Sequence, residues 1–273
     1  ADVWVTHIDT SKGQTQDPED SVIYFALCKD VIGYYNHVKE LSPEIQQIVS
    51  DSGCEWESHS GQNSCAVEVL EPVAAGAIMG KVGAKQGNFD FGLIDLRKKL
   101  DYINPDNYGT RSSYINCAYD YYKDHTRFYN LIERNDAGQC GKTMQDIAGT
   151  LKGNWIHVDT TNAISQWNNY LAFVQDNYHP ETEVVSVGGI FTEPSKFEFI
   201  PRSSGVINRE FAHVTPDGNV YCYEPDEMKY FQNSVPSGSI LVRMTDNSNL
   251  EIEHQDGSCM GTLTFTNPEN YRR

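Results

Sequence analysis

Long hydrophobic runs are missing from this sequence: none approaches the roughly 20 apolar residues a membrane-crossing helix needs. Its first residues, ADVWVTHIDT, also lack a charged start followed by a greasy stretch. The expectation is a mature, secreted chain from which any signal peptide has gone. Basic residues are scarce, 21 Lys and Arg against 38 Asp and Glu, for a net charge of −17. Such a field repels phosphate backbones and anionic lipid, so nucleic acid is not an expected partner. No CxxC pair, HExxH, GxSxG elbow, Walker loop or Asn-x-Ser/Thr sequon is present. Those absences argue against zinc ribbons, common hydrolase signatures and nucleotide-binding loops, and the missing sequon leans weakly toward a prokaryotic source.

What is present is a set of seven scattered cysteines, 28, 54, 65, 117, 140, 222 and 259. In an acidic chain rich in Tyr, Gly and Asn, they read as disulfides formed in an oxidising compartment, with one thiol left over. Short loop closures pair Cys54 with Cys65 and Cys222 with Cys259. Two of Cys28, Cys117 and Cys140 then form the third bridge. Cys140 with His157 or His213 could suggest a nucleophilic thiol, but a half-cystine is the better reading.

The 273 residues exceed what one core covers comfortably, which points to two domains. Residues 20–40 hold two β-branched and aromatic stretches around a Cys-Lys-Asp turn, predicting two strands. Ser42 as N-cap, Pro43 at the first turn and Gly53 as a stop predict a short helix. CEWESHSGQNSC reads as a looped-out hairpin inserted outside the core, and residues 66–97 as three short strands joined by tight glycine turns. From Trp155 on, EVVSVGGIF, KFEFIP, REFAHV, NVYCYE, SILVRM, LEIEH and GTLTFT read as strands. REFAHVTPDGNVYCYE and SILVRMTDNSNLEIEHQ read as hairpins. The predicted fold is mainly β: an antiparallel domain over residues 1–100 and a Tyr-rich connector over 101–153, pinned by Cys117 and Cys140. An antiparallel sandwich or barrel follows over 154–273. In the connector, Asp124 is placed to cap a helix that presents Phe128, Leu131 and Ile132 on one face.

Three segments between Val31 and Asp95, about a quarter of the chain, resemble the lysostaphin-like zinc metallopeptidases, which cut peptide cross-links in bacterial cell walls. YYNHVKELS is similar to that family's Tyr-x-His-Leu segment, PVAAGAIMGKVG to its glycine hairpin, and NFDFGLID falls where its HxH strand should lie. The resemblance implies an antiparallel β fold and a zinc held by a His and an Asp of an HxxxD motif plus the second His of HxH. The ligand set is absent: Asn88 and Asp90 replace the two histidines, no HxxxD precedes Tyr34, and only His37 survives. One imidazole does not hold a catalytic zinc. His37, Asn88 and Asp90 are therefore vestigial candidates, and the chain leans away from being an enzyme.

The expected role is non-catalytic recognition of envelope glycan or peptide through the metal-free peptidase-like groove, with Tyr34, Tyr35, His37, Asp90 and Trp155 as candidate ligand-binding residues. Trp155 and Trp167, with sixteen tyrosines, could supply a stacking platform for sugar rings. Two alternatives stand: a structural subunit of a surface layer or filament that pairs with copies of itself through strand edges, and a cell-wall hydrolase with an atypical metal site. No cofactor is expected. Asp246, Asn247, Asn249 and Glu251 hold calcium-type oxygens, but not at EF-hand spacing, and Asx turns account for them.

Overall fold

A computed structural model describes residues 2–12, 19–59, 62–83, 87–132, 134, 140–163, 165–226 and 235–273. The chain divides into two compact units, residues 1–99 with 114–123, and residues 100–113 with 124–273. The stretch 101–153, expected as a separate connector, is thus shared between them.

The first unit contains β1 (Val3–Lys12), β2 (Asp20–Cys28), β3 (Val31–Lys39), α1 (Pro43–Asp51), β4 (Glu57–His59), β5 (Gln62–Val73), β6 (Lys81–Val82), β7 (Asp90–Asp95) and β8 (Ile115–Asn116). Its antiparallel sheet runs β4-β5-β1-β2-β3-β7-β8, with β6 beside β3. α1 forms where the sequence predicts it: Ser42 accepts the Ile45 N–H, and Pro43 opens the first turn. It buries Ile45 and Val49 against Val5, Ile8, Ile23, Val38 and Val67 of the sheet. Aromatic rings cover the glycines of the central strands. Phe25 lies across Gly33 and Tyr34 across Gly92, each directly opposite in register, so a Cβ at either glycine would collide with the ring.

Two expectations change here. Residues 66–97 hold one long strand, β5, then the two-residue β6 and β7, because β5 pairs with β1 along nearly its whole length. The predicted hairpin at 54–65 exists, with Glu57 opposite Ser64, yet it is no mere insertion: Cys65 sits at 3% exposure within the core.

The second unit contains α2 (His125–Tyr129), β9 (Gly153–His157), β10 (Tyr170–Gln175), β11 (Glu183–Val187), β12 (Ser195–Phe199), β13 (Tyr221–Tyr223), β14 (Ser239–Met244), β15 (Asn249–Gln255) and β16 (Glu269–Arg272). Eight strands follow in the order β12-β11-β10-β9-β16-β15-β14-β13, an antiparallel sheet curled into a nearly closed barrel. The backbone N–H of Asp226, just beyond β13, donates to Glu198 O of β12 at 2.8 Å, linking the two ends. Aromatic rings fill the interior: Phe173, Phe199, Phe211 and Tyr223 are wholly buried, with centroids 5.1 to 6.2 Å apart. Each such burial contributes roughly 1.5–3 kcal/mol.

The predicted β14–β15 hairpin is present. REFAHV is not a strand: Phe211–His213 form a 3-10 turn, since Phe211 and Val214, three apart, both enter the core. No hairpin therefore joins it to β13. GTLTFT is irregular, and the closing strand is β16, held by pairing with β15 and β9. α2 spans five residues, Asp124 makes no side-chain cap bond, and Leu131 is exposed rather than on a shared buried face.

Cys54–Cys65 and Cys222–Cys259 are the predicted bridges, with Cα separations of 6.1 and 5.7 Å. Cys117 and Cys140 are also disulfide-bonded, which makes three pairs, and Cys28 is a free, exposed thiol. Among the described residues no helix is long and apolar enough to cross a membrane.

Candidate functional site

In the first unit the structure brings His37 and Asp90 together. Across β2 and β3, Ser21 faces Val38 while Ile23 faces Tyr35, so β3 carries one extra residue, and in this bulge His37 adopts φ 61°. That left-handed conformation is uncommon outside glycine and signals a local constraint. His37 Nδ1 lies 3.2 Å from the Asp20 carboxylate. Asn36 Nδ2 then approaches Nε2 at 3.4 Å and Asp90 Oδ2 at 3.2 Å, while Asn36 Oδ1 accepts the His37 backbone N–H at 2.9 Å.

The Asn36 amide thereby touches both His37 Nε2 and Asp90. The carboxylates of Asp20 and Asp90 stand on opposite sides of the ring, Asp90 at 3.7 Å from Nε2. Among the described residues no three His, Cys, Asp or Glu side chains are placed to hold one metal ion. Asn88, two residues before β7, is exposed.

The tyrosines of this segment face in opposite directions. Tyr34 rests on Gly92 near Tyr24, and partial burial, then Tyr24 and Asp90, push its phenol above its usual pKa. Tyr35 packs against Phe25, Phe89 and Phe91 at 4.8 to 5.4 Å and lines a shallow groove of about 220 Å³. Another hollow of about 580 Å³ lies beside α1, with Gln46, Ser50 and Trp56 in its lining.

The second unit holds a different kind of site. On the outer surface of the barrel, Asn154 of β9 faces Ala172 of β10, which faces Ser186 of β11. Two polar side chains flank a methyl group, leaving a depression that belongs to a groove of about 530 Å³. Tyr108, Tyr170 and Trp167 form its aromatic walls, and Trp167 is 75% exposed. Tyr108 stacks on Tyr102 at 4.3 Å and is hydrogen-bonded to Asn154; burial first, and neighbouring acidic groups after it, hold its phenol well above the usual range.

The chain holds Trp167 in place through its neighbours. Gln166 Oε1 accepts from the Thr161 and Asn162 N–H groups at 3.0 and 2.9 Å, closing the loop before it. The Tyr170 hydroxyl donates to Ala163 O, beyond the short 3-10 turn Trp167–Asn169. Gly188 N–H donates to Tyr170 O at 2.9 Å, and a Cβ there would lie 2.6 to 2.7 Å from the carbonyls of Trp167, Asn168 and Tyr170. Only a glycine lets that turn press so closely on the end of β11.

Trp155, a sequence candidate for ligand stacking, is a core residue instead. It is 1% exposed, its Nε1–H donates to Leu151 O at 2.9 Å, and the Arg273 guanidinium covers its ring at 4.2 Å. Register explains the difference: Trp155 points into the barrel, and its neighbour Asn154 faces the groove. The cluster at 246–251 is the tip of the β14–β15 hairpin and the start of β15, where Glu251 pairs with Arg243 across the strands. Asp246 accepts from Ser248 N–H at 2.7 Å and from the Asn249 amide at 2.9 Å, and these bonds lower its pKa.

No family model matches the chain, and neither a curated protein nor a solved structure is significantly similar to it. The likeness to lysostaphin-like peptidases rests on the three sequence segments alone.

Proposed function

We propose that this protein is a non-catalytic, extracytoplasmic recognition protein for envelope glycan, and that the groove on the second unit is its binding surface. The observation that carries the reading is Trp167: a large ring, three-quarters exposed, carried on a hydrogen-bonded turn and lining a hollow with polar groups on both sides. Aromatic surface gathered in one groove, here Trp167 with Tyr108 and Tyr170, marks an interaction site, and an aromatic side chain with two rotatable bonds loses little conformational entropy when a ligand covers it. Three disulfides support a place in an oxidising compartment. The strongly acidic surface disfavours nucleic acid. His37 fits a structural role in the β3 bulge, since both ring nitrogens are engaged by neighbours.

This reading moves the recognition surface from the peptidase-like segment to the barrel. A pull-down of the intact chain on purified cell-wall polysaccharide tests it. Retention that falls at least severalfold with Trp167→Ala supports it, and retention indifferent to Trp167 removes the groove from the account.

A further inference from the structure

The groove has a property that the overall charge of the chain would not suggest. Among its described lining residues none carries a charge: the polar groups offered are the Asn154 amide, the Ser112 and Ser186 hydroxyls and the phenols of Tyr108 and Tyr170. An anionic ligand would lose water here without gaining a counter-ion, a cost that hydrogen bonds from neutral groups offset poorly. The net charge of −17 adds a long-range repulsion. The nearest cationic residue along the same cross-strand row is exposed Lys196, opposite Ser186 on β12 and outside the lining.

The row itself has a useful span. Asn154 and Ser186 stand on strands two places apart, so roughly 10 Å separates them. Between them lies only the Ala172 methyl. A flat ring can lie over that methyl and direct polar substituents to both sides, with one face against Trp167. Pyranose sugars have this form: an apolar face of C–H groups and a rim of hydroxyls that donate and accept.

We infer that the groove takes a neutral oligosaccharide, with a pyranose ring stacked on Trp167 and its hydroxyls bonded to the Asn154–Ala172–Ser186 row. The inference rests on the glycan reading above and narrows it to uncharged chains, excluding acidic envelope polymers from this surface. Trp167 supplies the affinity, and the Asn154 and Ser186 side chains fix orientation. Their neutral bonds make the interaction insensitive to ionic strength, because no ion pair is formed for salt to screen.

The test uses the full chain and calorimetric titration with three probes: maltohexaose and chitohexaose as neutral chains, and a hyaluronan hexasaccharide as an acidic one. The expected result is saturable binding of a neutral probe, with a Kd that changes less than about twofold between roughly 20 and 500 mM NaCl. Trp167→Ala weakens it about tenfold and Trp167→Phe less, in keeping with the worth of an aromatic contact. Lys196→Gln leaves it unchanged. Tighter binding of hyaluronan that is lost in salt or with Lys196→Gln overturns the inference and leaves a glycan function standing. Failure of all three probes, while retention on cell-wall polysaccharide still depends on Trp167, overturns the inference alone. Failure of the probes together with retention indifferent to Trp167 overturns both readings.

Discussion

The two units solve the problem of covering a sheet in different ways. The first lays a single helix and a few loops on an open sheet, and its titratable groups sit in hydrogen-bonded clusters: half-buried His37 with Asp20, Asn36 and Asp90, and buried Asp95 with Arg97 and Tyr121. The second curls its sheet around aromatic rings and buries an ion pair, Lys152 with Glu183, whose side chains are 8% and 1% exposed at 3.6 Å. An open sheet can carry such clusters on its faces. A closed one leaves its exposed chemistry on the outer wall, where the groove lies.

This contrast can be broken in several ways, the largest first. Phe211→Ala removes a ring at the centre of the aromatic core and is expected to cost the second unit about 3–5 kcal/mol. Calorimetry should show a lowered transition for the barrel and an unmoved one for the first unit; a single shifted transition would mean the two cores melt as one.

Next comes the buried pair. Glu183 accepts Phe211 N–H at 3.0 Å, and burial, despite that bond and Lys152, raises its pKa to about 7; burial also lowers that of Lys152. Glu210 adds a further negative field on both. Lys152→Met leaves Glu183 without its cation and is expected to cost roughly 3 kcal/mol, while Lys152→Met with Glu183→Leu restores most of it. Chemical denaturation of both variants measures the difference, and equal losses would deny any coupling.

The same residues give opposite pH behaviour. The folded pKa of Glu183 lies above its unfolded value of about 4.3, so its contribution is fullest below that value and is lost as pH rises toward 7. Asp95 runs the other way. Its hydrogen bond with Arg97 holds its pKa far below the unfolded value of about 3.9, so its contribution is present above pH 4 and lost on acidification. Melting across pH 3 to 7 should therefore move the two transitions in opposite directions, and Glu183→Gln should flatten the one belonging to the barrel. Arg97→Ala should lower the first unit's stability and weaken its loss on acidification, because Asp95 then keeps only Tyr121 and a backbone N–H as donors. Ser42→Ala, which deletes the cap of α1, should take about 1 kcal/mol from the same unit. At the small end, His37→Asn keeps a residue that tolerates positive φ and should leave glycan retention unchanged; loss of retention would return the recognition surface to the first unit.

Much of the architecture could be read from residues. β2, β3 and α1 announce themselves through β-branched runs and a Ser-Pro start, and β14–β15 through its polar tip. β1 hides because a bulge between Val5 and His7 shifts the alternation in mid-strand. β16 hides because Glu-Asn-Tyr-Arg has one inward residue, Tyr271, and owes its extended form to neighbours on both sides. Arg-Glu-Phe-Ala-His-Val misleads because three-residue spacing of Phe211 and Val214 can look like strand composition. For the site, residue type alone favours Trp155 as much as any other Trp and leaves Trp167 as one ring of a platform; which one is covered depends on register with β10 and on Arg273, more than 100 residues away in the chain. The row through Ala172 exists only once three strands are aligned.

Cys28 offers a practical consequence. With the other six cysteines tied up in bridges, a thiol-reactive dye would attach at one place, at the end of β2 in the first unit. Its emission would follow that region alone. The odd count of cysteines thus gives the first unit a single chemical handle.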